Sequence, residues 1–568
     1  MRVELLGAPY SGKNVIASGQ EAVNVYAESN ASDPQSPSKI TYYLTPGYSV
    51  YATPLSNENP TRATYRTSIG TAYVVVGASL YFLTSLQTLI FIGFVADRPS
   101  QVIMADNGLV VTLVDGVNGY TVDMISNDFG QILDPNFYGA SWIQFLDTFF
   151  IFNRPDTNQF YISSSMANFG MLTNSAIETG TITNAGSLYT PGTYEDVSLT
   201  GGDGEDATAI ITVGGGGTIT AVDIADGGTG YILGNTLSVD AADVGGTGSG
   251  FIYTITGMQS AFDPLDIAAK SGSADPIVAI AAVHKELWLI GELTTEVWIG
   301  TGAADFYFQL QQGAFIDHGC AAEYSLAYQD ILAFWLMQDK QGSYIVVKAG
   351  GYQVEEISTP RLVSEFASYE TVEDAIGFCF QIEDHSFYCL TFPTANKTWL
   401  YDLKTGWWFE WAYTADGNFN RHRANCAMFV YNKNLVGDWE NGTLLELDPD
   451  LYQDDGDPIV RVRTFMHMMD DGKRVTYEQF IADMECGTSV QTSEDDPDPV
   501  VSLSFSDDRG VTYSNKLEQT LGREGQYLVQ PSWNRLGMAR DRVFKLEWSA
   551  NTKTALNGAF VEVTQHYS

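Results

Sequence analysis

Apolar residues along this chain fall in short runs separated by polar or glycine-bearing turns, not in helical stripes. Residues 281–302, AAVHKELWLIGELTTEVWIGTG, set the type. Leu287, Trp288, Leu289 and Ile290 make one strand, a short turn follows, and Val297, Trp298 and Ile299 make a second. β-Branched and aromatic residues suit a pleated, half-buried surface, and a turn of this length closes a hairpin. Six other stretches read the same way: 72–76 with 80–83, 109–114 with 120–124, 148–152 with 159–162, 331–337 with 343–347, 386–392 with 398–403, and 434–437 with 443–447. Leaving one insertion aside, their starts recur roughly every 36 to 56 residues, the spacing of propeller blades. Blades packed face to face in a ring leave only short edges. The expected fold is all-β: a β-propeller-like core of seven blades, an inserted small β domain and a C-terminal β-sandwich-like domain. Trp288 and Trp298 could stack on a sugar, but among six comparable hairpins they read as packing within one blade.

The boundaries follow from where this pattern stops. Residues 1–60 have little periodicity and hold a Pro/Ser-rich piece at 33–38, so they read as an N-terminal extended arm lying on another surface. Residues 61–175 form the first part of the propeller and 259–452 the second. Between them, 176–258 is rich in Gly, Thr and Asp and repeats internally. Tyr189 to Gly192 returns as Tyr231 to Gly234, Val197-Ser198-Leu199 as Leu237-Ser238-Val239, and 209–213 as 251–255. Such a unit fits a loop tip, where insertions are tolerated. An acidic break, Asp454-Asp455-Gly456-Asp457-Pro458, opens the C-terminal β domain at 453–568, itself interrupted by an acidic run at 494–499.

Composition narrows the function. A chain of 568 residues has room for two to four domains, and 13% aromatic residues with 54 glycines suit many short strands. A formal charge of −40 repels phosphate backbones and excludes tight DNA binding through a basic patch. Solubility alone explains such a charge; the sharper reading is a surface that lies near DNA without sticking to it. Cys320, Cys379, Cys389, Cys426 and Cys486 form no CxxC pair and read as buried thiols of a reducing compartment. The opening MRVELLGAPYSGKN lacks the apolar core of a signal peptide. Residues 67–96 carry no charge, but Gly77-Ala78-Ser79 and the polar residues at 84–88 divide them into three strands, so no stable membrane insertion is expected.

No motif assembles a catalytic, cofactor or metal site. Residues 7–14 nearly fit a phosphate-binding loop, yet Asn14 stands where a magnesium-binding hydroxyl is needed and no α/β pattern follows. Six histidines never occur as HxxxH or HxH. The 201–206 run resembles one calcium-binding repeat, and one copy cannot build the stacked ligand cage. Residues 506–513 fit the Asp-box pattern SxDxGxTW with Tyr for Trp, so Ser506, Asp508, Gly510 and Tyr513 are expected to make a structural turn. This resembles a hairpin turn of sialidases and other propellers, where it is also structural. Arg535, Arg540 and Arg542 form the most basic patch of the chain. They either pair with nearby carboxylates or make an inter-subunit or adaptor contact, where arginine is favoured.

Both ends of the chain resemble one phage family. The arm carries Gly7-Ala8-Pro9-Tyr10, Val23-Asn24-Val25-Tyr26-Ala27-Glu28 and Tyr43-Leu44-Thr45-Pro46-Gly47-Tyr48. These resemble an opening that reads VNLYPE … PTPGL, with Ala27 where the family often has Pro. Residues 504–513, 522–525 and 533–544 resemble its C-terminus. The family is that of the packaged-DNA stabilisation, or tail-hub, proteins of short-tailed bacteriophages. The resemblance covers about 1–175 and 259–568, while the insertion resembles Gly-rich modules of phage particles. It implies a non-enzymatic virion-tail protein assembled in the host cytoplasm as a homohexameric ring. That ring would lie below the portal and its head–tail adaptor ring and carry a tail needle, fibre or spike. Viral DNA would pass its lumen without tight binding. A carbohydrate-binding or sialidase-like propeller tail protein is the alternative.

Overall fold

Each expected hairpin is the middle of a four-stranded antiparallel sheet. The computed structural model describes all residues except 10–19, 31–38, 56–58, 304, 489–497 and 567–568. The Pro/Ser-rich piece, most of the near phosphate loop and most of the 494–499 run lie outside the described residues. Among the described residues, five blades span 61–94, 103–131, 277–316, 327–356 and 376–410. Two more are completed from a distance. Blade three takes its outer strand, Ile267–Ala269, from beyond the insertion. Blade seven takes Gly47–Ala52 from near the N-terminus, in register with Leu444–Asp448 (Leu447 opposite Tyr48). The ring is thus latched by a strand from the opposite end of the chain.

Neighbouring blades bury shared side chains. Tyr73, Val75 and Leu80 of blade one meet Met104, Leu113 and Val122 of blade two. Val74 and Leu83 meet Met428 and Leu435 of blade seven, which closes the circle. Trp288 is fully buried and Trp298 nearly so, with its indole N–H on Glu296 at 3.1 Å; neither is a sugar platform. The uncharged stretch forms three strands, Ala72–Val76, Ser79–Leu83 and Leu89–Phe94. Among the described residues, no helix is long and apolar enough to cross a membrane.

The described N-terminal residues pair with strands of their own chain. Arg2–Glu4 pairs with Leu556–Gln565, and Val25–Ser29 pairs with Ile40–Leu44 at the edge of the same C-terminal sheet. Ala22–Val23 lies between blade six and the sandwich, parallel to Trp407–Glu410 and antiparallel to Arg461–Thr464. Every side chain from Ala22 to Ala27 is buried, so this strand shows no alternation. Asn24, at a φ of 56°, pins the junction. Its amide donates to Ala412 O and Val460 O and accepts from Ala412 N, all within 2.9 Å. The sandwich is also less separate than its sequence suggests. One ten-stranded sheet runs from blade six through Ala22–Val23 into it. One core holds Phe387, Leu400 and Trp411 of the propeller side with Phe480, Phe544 and Leu546 of the sandwich.

The insertion has its own core, including Val197, Ile211, Leu237 and Ile255. Its repeat is visible as a near-symmetric sheet in which Gly192–Thr200 lies beside Thr236–Val239 (Leu199 opposite Val239). Tyr189 and Tyr231 occupy equivalent buried places. Each has a glycine three residues earlier, Gly186 and Gly228, at φ of 64° and 61°. A Cβ on either would press on the ring, at 2.6 Å and 2.9 Å, and on backbone. Gly228→Ala is therefore expected to destabilise the insertion by about 2 kcal/mol or more, leaving the propeller transition in place. Scanning calorimetry of the full chain checks this.

Candidate assembly surface

The arginine patch divides in two. Arg542 is buried and turned inward: Nε and Nη2 bind Asp507 at 2.6 and 2.7 Å, and Nη1 donates to Leu536 O at 2.5 Å. Its guanidinium also lies 4.1 Å from the Phe505 ring centroid. This intramolecular pairing takes up the Arg542 guanidinium within the chain. Arg535 and Arg540 are exposed. Asp508 closes the turn between Val500–Ser506 and Leu517–Thr520. It accepts from Ser506 Oγ at 2.7 Å, Thr512 N at 2.8 Å and Thr512 Oγ1 at 2.6 Å, and these donors hold its carboxyl down at about 2. Gly510, at a φ of 90°, donates to Ser506 Oγ, and Lys545 Nζ sits 4.2 Å from the Tyr513 ring centroid.

Sequence reasoning missed an apolar edge. Leu89–Phe94, the outer strand of blade one, pairs on one side only among the described residues. Phe94 is 69% exposed and Ile90 48%; the Phe91 and Phe94 rings lie 4.8 Å apart. Several other outer strands are managed: Trp407–Glu410 and Gly47–Ala52 are covered, Phe129–Gln131 is short, and Gln353–Glu356 carries two glutamates; Phe308–Ile316 of blade four is also uncharged, with Phe315 48% exposed. An uncovered, uncharged apolar edge is a template for association.

A cleft of about 480 Å³ is lined by Asp115, Asp156, Glu292 and Glu323, with Arg98 as its one cation among the described residues. Arg98 lies 3.8 Å from Asp115. Burial pushes the Glu323 carboxyl up. Although Tyr324 follows Glu323, this acidic setting repels a sialoside carboxylate rather than gripping it with clustered arginines. Glu28, Asp384 and His385 have metal-ligand proximity, but the Lys404 ammonium bridges the two carboxylates. All five cysteines are free, and burial pushes Cys320, Cys426 and Cys486 up to about 11.

Asp454, at the propeller–sandwich break, is buried beside the latch strand, opposite Tyr48. Burial pushes its carboxyl up to about 8, against the opposing pull of Arg461. Its folded value lies above the unfolded one, so the folded chain holds the proton more tightly. Its contribution is fully present below about pH 4 and is lost as pH rises through about 8. Asp454→Asn should flatten the fall in stability across that window, read by urea unfolding at pH 5 and pH 8.5.

Residues 243–452 match the family described as Bacteriophage P22 Gp10, beta-propeller, and 461–564 match Bacteriophage P22 Gp10, beta-sandwich. Together the two matches span more than half of the chain. The chain belongs to the bacteriophage P22 Gp10 family of tail-hub and DNA-stabilisation proteins. Its Gp10 propeller match covers blades four to seven, and the sandwich match ends within the last strand. As a Gp10-family chain it is a structural component of the phage tail. No curated protein matches it. Solved structures that are similar include Hsv2 of Kluyveromyces lactis, 11% identical over 62% of this chain and 97% of that one, at a TM-score of 0.22. A putative 6-phosphogluconolactonase of Bacteroides uniformis is 9% identical over 68% and 99%, at 0.24. PorZ of Porphyromonas gingivalis is 11% identical over 71% and 52%, at 0.18. At these scores the likeness carries no argument.

Proposed function

We propose that six copies of this chain form the tail hub, or nozzle, below the portal and its adaptor ring. The ring continues the DNA channel, retains packaged DNA and holds a needle, fibre or spike, without catalytic work. It is assembled in the host cytoplasm. The observation that carries this is the family match on both propeller and sandwich within one chain.

The dimensions of the propeller support a conduit made between copies, not through one. Where its blades meet it holds a cavity of about 140 Å³, lined by Ala63, Ile103, Trp142, Leu326, Ile376 and Cys426 among others. That volume holds a few waters and not a duplex. DNA therefore passes along outer surfaces of a ring of subunits. A chain of net charge −40 lining that path releases no counterions from DNA, so the duplex slides.

Six chains of this charge repel one another, and a neutral apolar contact is needed to hold them. Leu89–Phe94 offers one, and Arg535 with Arg540 offers a cationic contact to an acidic neighbour or the adaptor. Ile90→Asp with Phe94→Asp should weaken ring formation at least about tenfold while the melting of the single subunit is unchanged. Analytical ultracentrifugation with the portal–adaptor complex reads the first and circular dichroism the second. Unaltered assembly would remove this strand from the interface.

A further inference from the structure

His385 opens the second strand of the blade-six hairpin, His385–Phe392, and is 2% exposed. Its Nδ1 lies 2.9 Å from Oδ2 of Asp402, a fully buried carboxylate that also accepts from Thr405 Oγ1 at 2.8 Å and Lys404 N at 2.9 Å. An ionised carboxylate only accepts, so Nδ1 carries the proton and Nε2 of the neutral ring carries the lone pair. The Tyr26 and Phe387 rings, with centroids 5.1 and 6.0 Å from that of His385, hold the imidazole in this orientation. Among the described residues Nε2 makes no hydrogen bond, and Asp384 Oδ1 lies 3.8 Å from it. One ligand atom from each of Glu28, Asp384 and His385 lies within 4.8 Å of the other two.

Two carboxylates and an imidazole lone pair form a nitrogen and oxygen donor set that suits zinc. Asp402 stands behind His385 as the outer carboxylate that orients a metal-ligating histidine. The Lys404 ammonium lies on both carboxylates, 3.1 Å from Glu28 Oε1 and bonded to Asp384. Its side chain is 37% exposed. One ammonium leaves the field here negative: burial, and after it the charges of Glu383, Tyr43, Glu28 and Asp384, pushes the nearby Tyr26 phenol up. A divalent ion neutralises both carboxylates and also takes the lone pair, while the flexible Lys404 stem swings to water. Zinc–ligand distances of about 2.0–2.2 Å bring the ligand atoms to roughly 3.5 Å from one another, a closure that rotation of the exposed Asp384 carboxylate supplies.

We propose that this chain binds one zinc ion through Glu28, Asp384 and His385 Nε2, with water as the fourth ligand and Lys404 displaced. Glu28 belongs to Val25–Ser29 on the sandwich sheet, and Asp384 and His385 belong to the blade-six hairpin. The ion therefore clamps the N-terminal segment to the propeller. The binding does not rest on the tail-hub reading.

The test is thermal unfolding of the full chain, stripped with a chelator and titrated with zinc chloride, or with magnesium chloride at the same ionic strength. Zinc should give a saturable rise in midpoint, about 2 °C at a hundredfold excess over Kd, that magnesium does not give. By titration calorimetry, zinc affinity should fall at least about tenfold in Asp384→Asn and in His385→Gln. It should rise several-fold in Lys404→Gln, which removes the competing ammonium. In crystals grown with zinc, an anomalous peak at the zinc edge should lie between His385 Nε2, Asp384 and Glu28. No rise beyond that of magnesium, unchanged affinity in a folded Asp384→Asn, or zinc peaks only elsewhere would each overturn the proposal.

Discussion

Removing residues 1–52 should abolish cooperative folding of the sandwich and open the propeller ring. The deletion takes the outer strand of blade seven, the Val25–Ser29 and Ile40–Leu44 pair, and the Ala22–Val23 bridge. With them go the buried side chains of Val25, Tyr26, Tyr42, Tyr48 and Tyr51. Each is worth about 1.5–3 kcal/mol of burial, so the sum rivals the whole stability of an ordinary domain, about 5–15 kcal/mol. An arm reaching onto a neighbour would behave otherwise: its removal would leave the melting of the subunit unchanged and only block assembly. Circular dichroism and calorimetry of the shortened chain distinguish the two.

Arg463→Met should destabilise the chain by about 3–5 kcal/mol. Arg463 is fully buried in Arg461–Thr464 and has no carboxylate partner among the described residues. Nη1 donates to Thr464 O at 2.9 Å and Glu21 O at 3.2 Å; Nη2 donates to Gln20 Oε1 at 2.8 Å and Gly7 O at 2.9 Å. The guanidinium also lies 4.7 Å from the Tyr42 ring centroid. Methionine matches the length and removes the cost of burying a charge, which favours the variant. Against that, four hydrogen bonds are lost at once, three of them to the N-terminal segment that the sandwich must hold. The second effect wins because these bonds tie that segment to the sandwich, although Gly7 O keeps the Tyr42 hydroxyl and Glu21 O keeps Thr464 N. Urea unfolding measures the difference, and a change below about 1 kcal/mol would show that the segment is held by its strand pairing alone.

Much of this fold is legible because its signals are local. A blade hairpin such as Glu286–Gly291 with Thr295–Gly300 announces itself through short runs of β-branched and aromatic residues and a short turn. The turn at Asp508 is equally local, since its bonds reach only two and four residues along the chain. What the sequence hides is pairing at a distance. Val23 opposes Val462, and Tyr48 opposes Leu447, across some four hundred residues. Nothing near Val23 signals a partner, and burial on both faces erases its alternation. Outer strands such as Ile267–Ala269 are too short to show a period. The basic patch misleads for another reason: Arg542 looks like a surface cation until Asp507, thirty-five positions earlier, folds against it.

The central claim is that copies of this chain, not the bore of one propeller, make the wall of the DNA channel. Electron microscopy of the virion tail tests it most directly. Six propeller–sandwich subunits should surround the tail axis below the portal, with each propeller axis off the DNA path and Leu89–Phe94 within a subunit contact. Density that places single copies at fibre tips, or DNA threaded through one propeller, would contradict it.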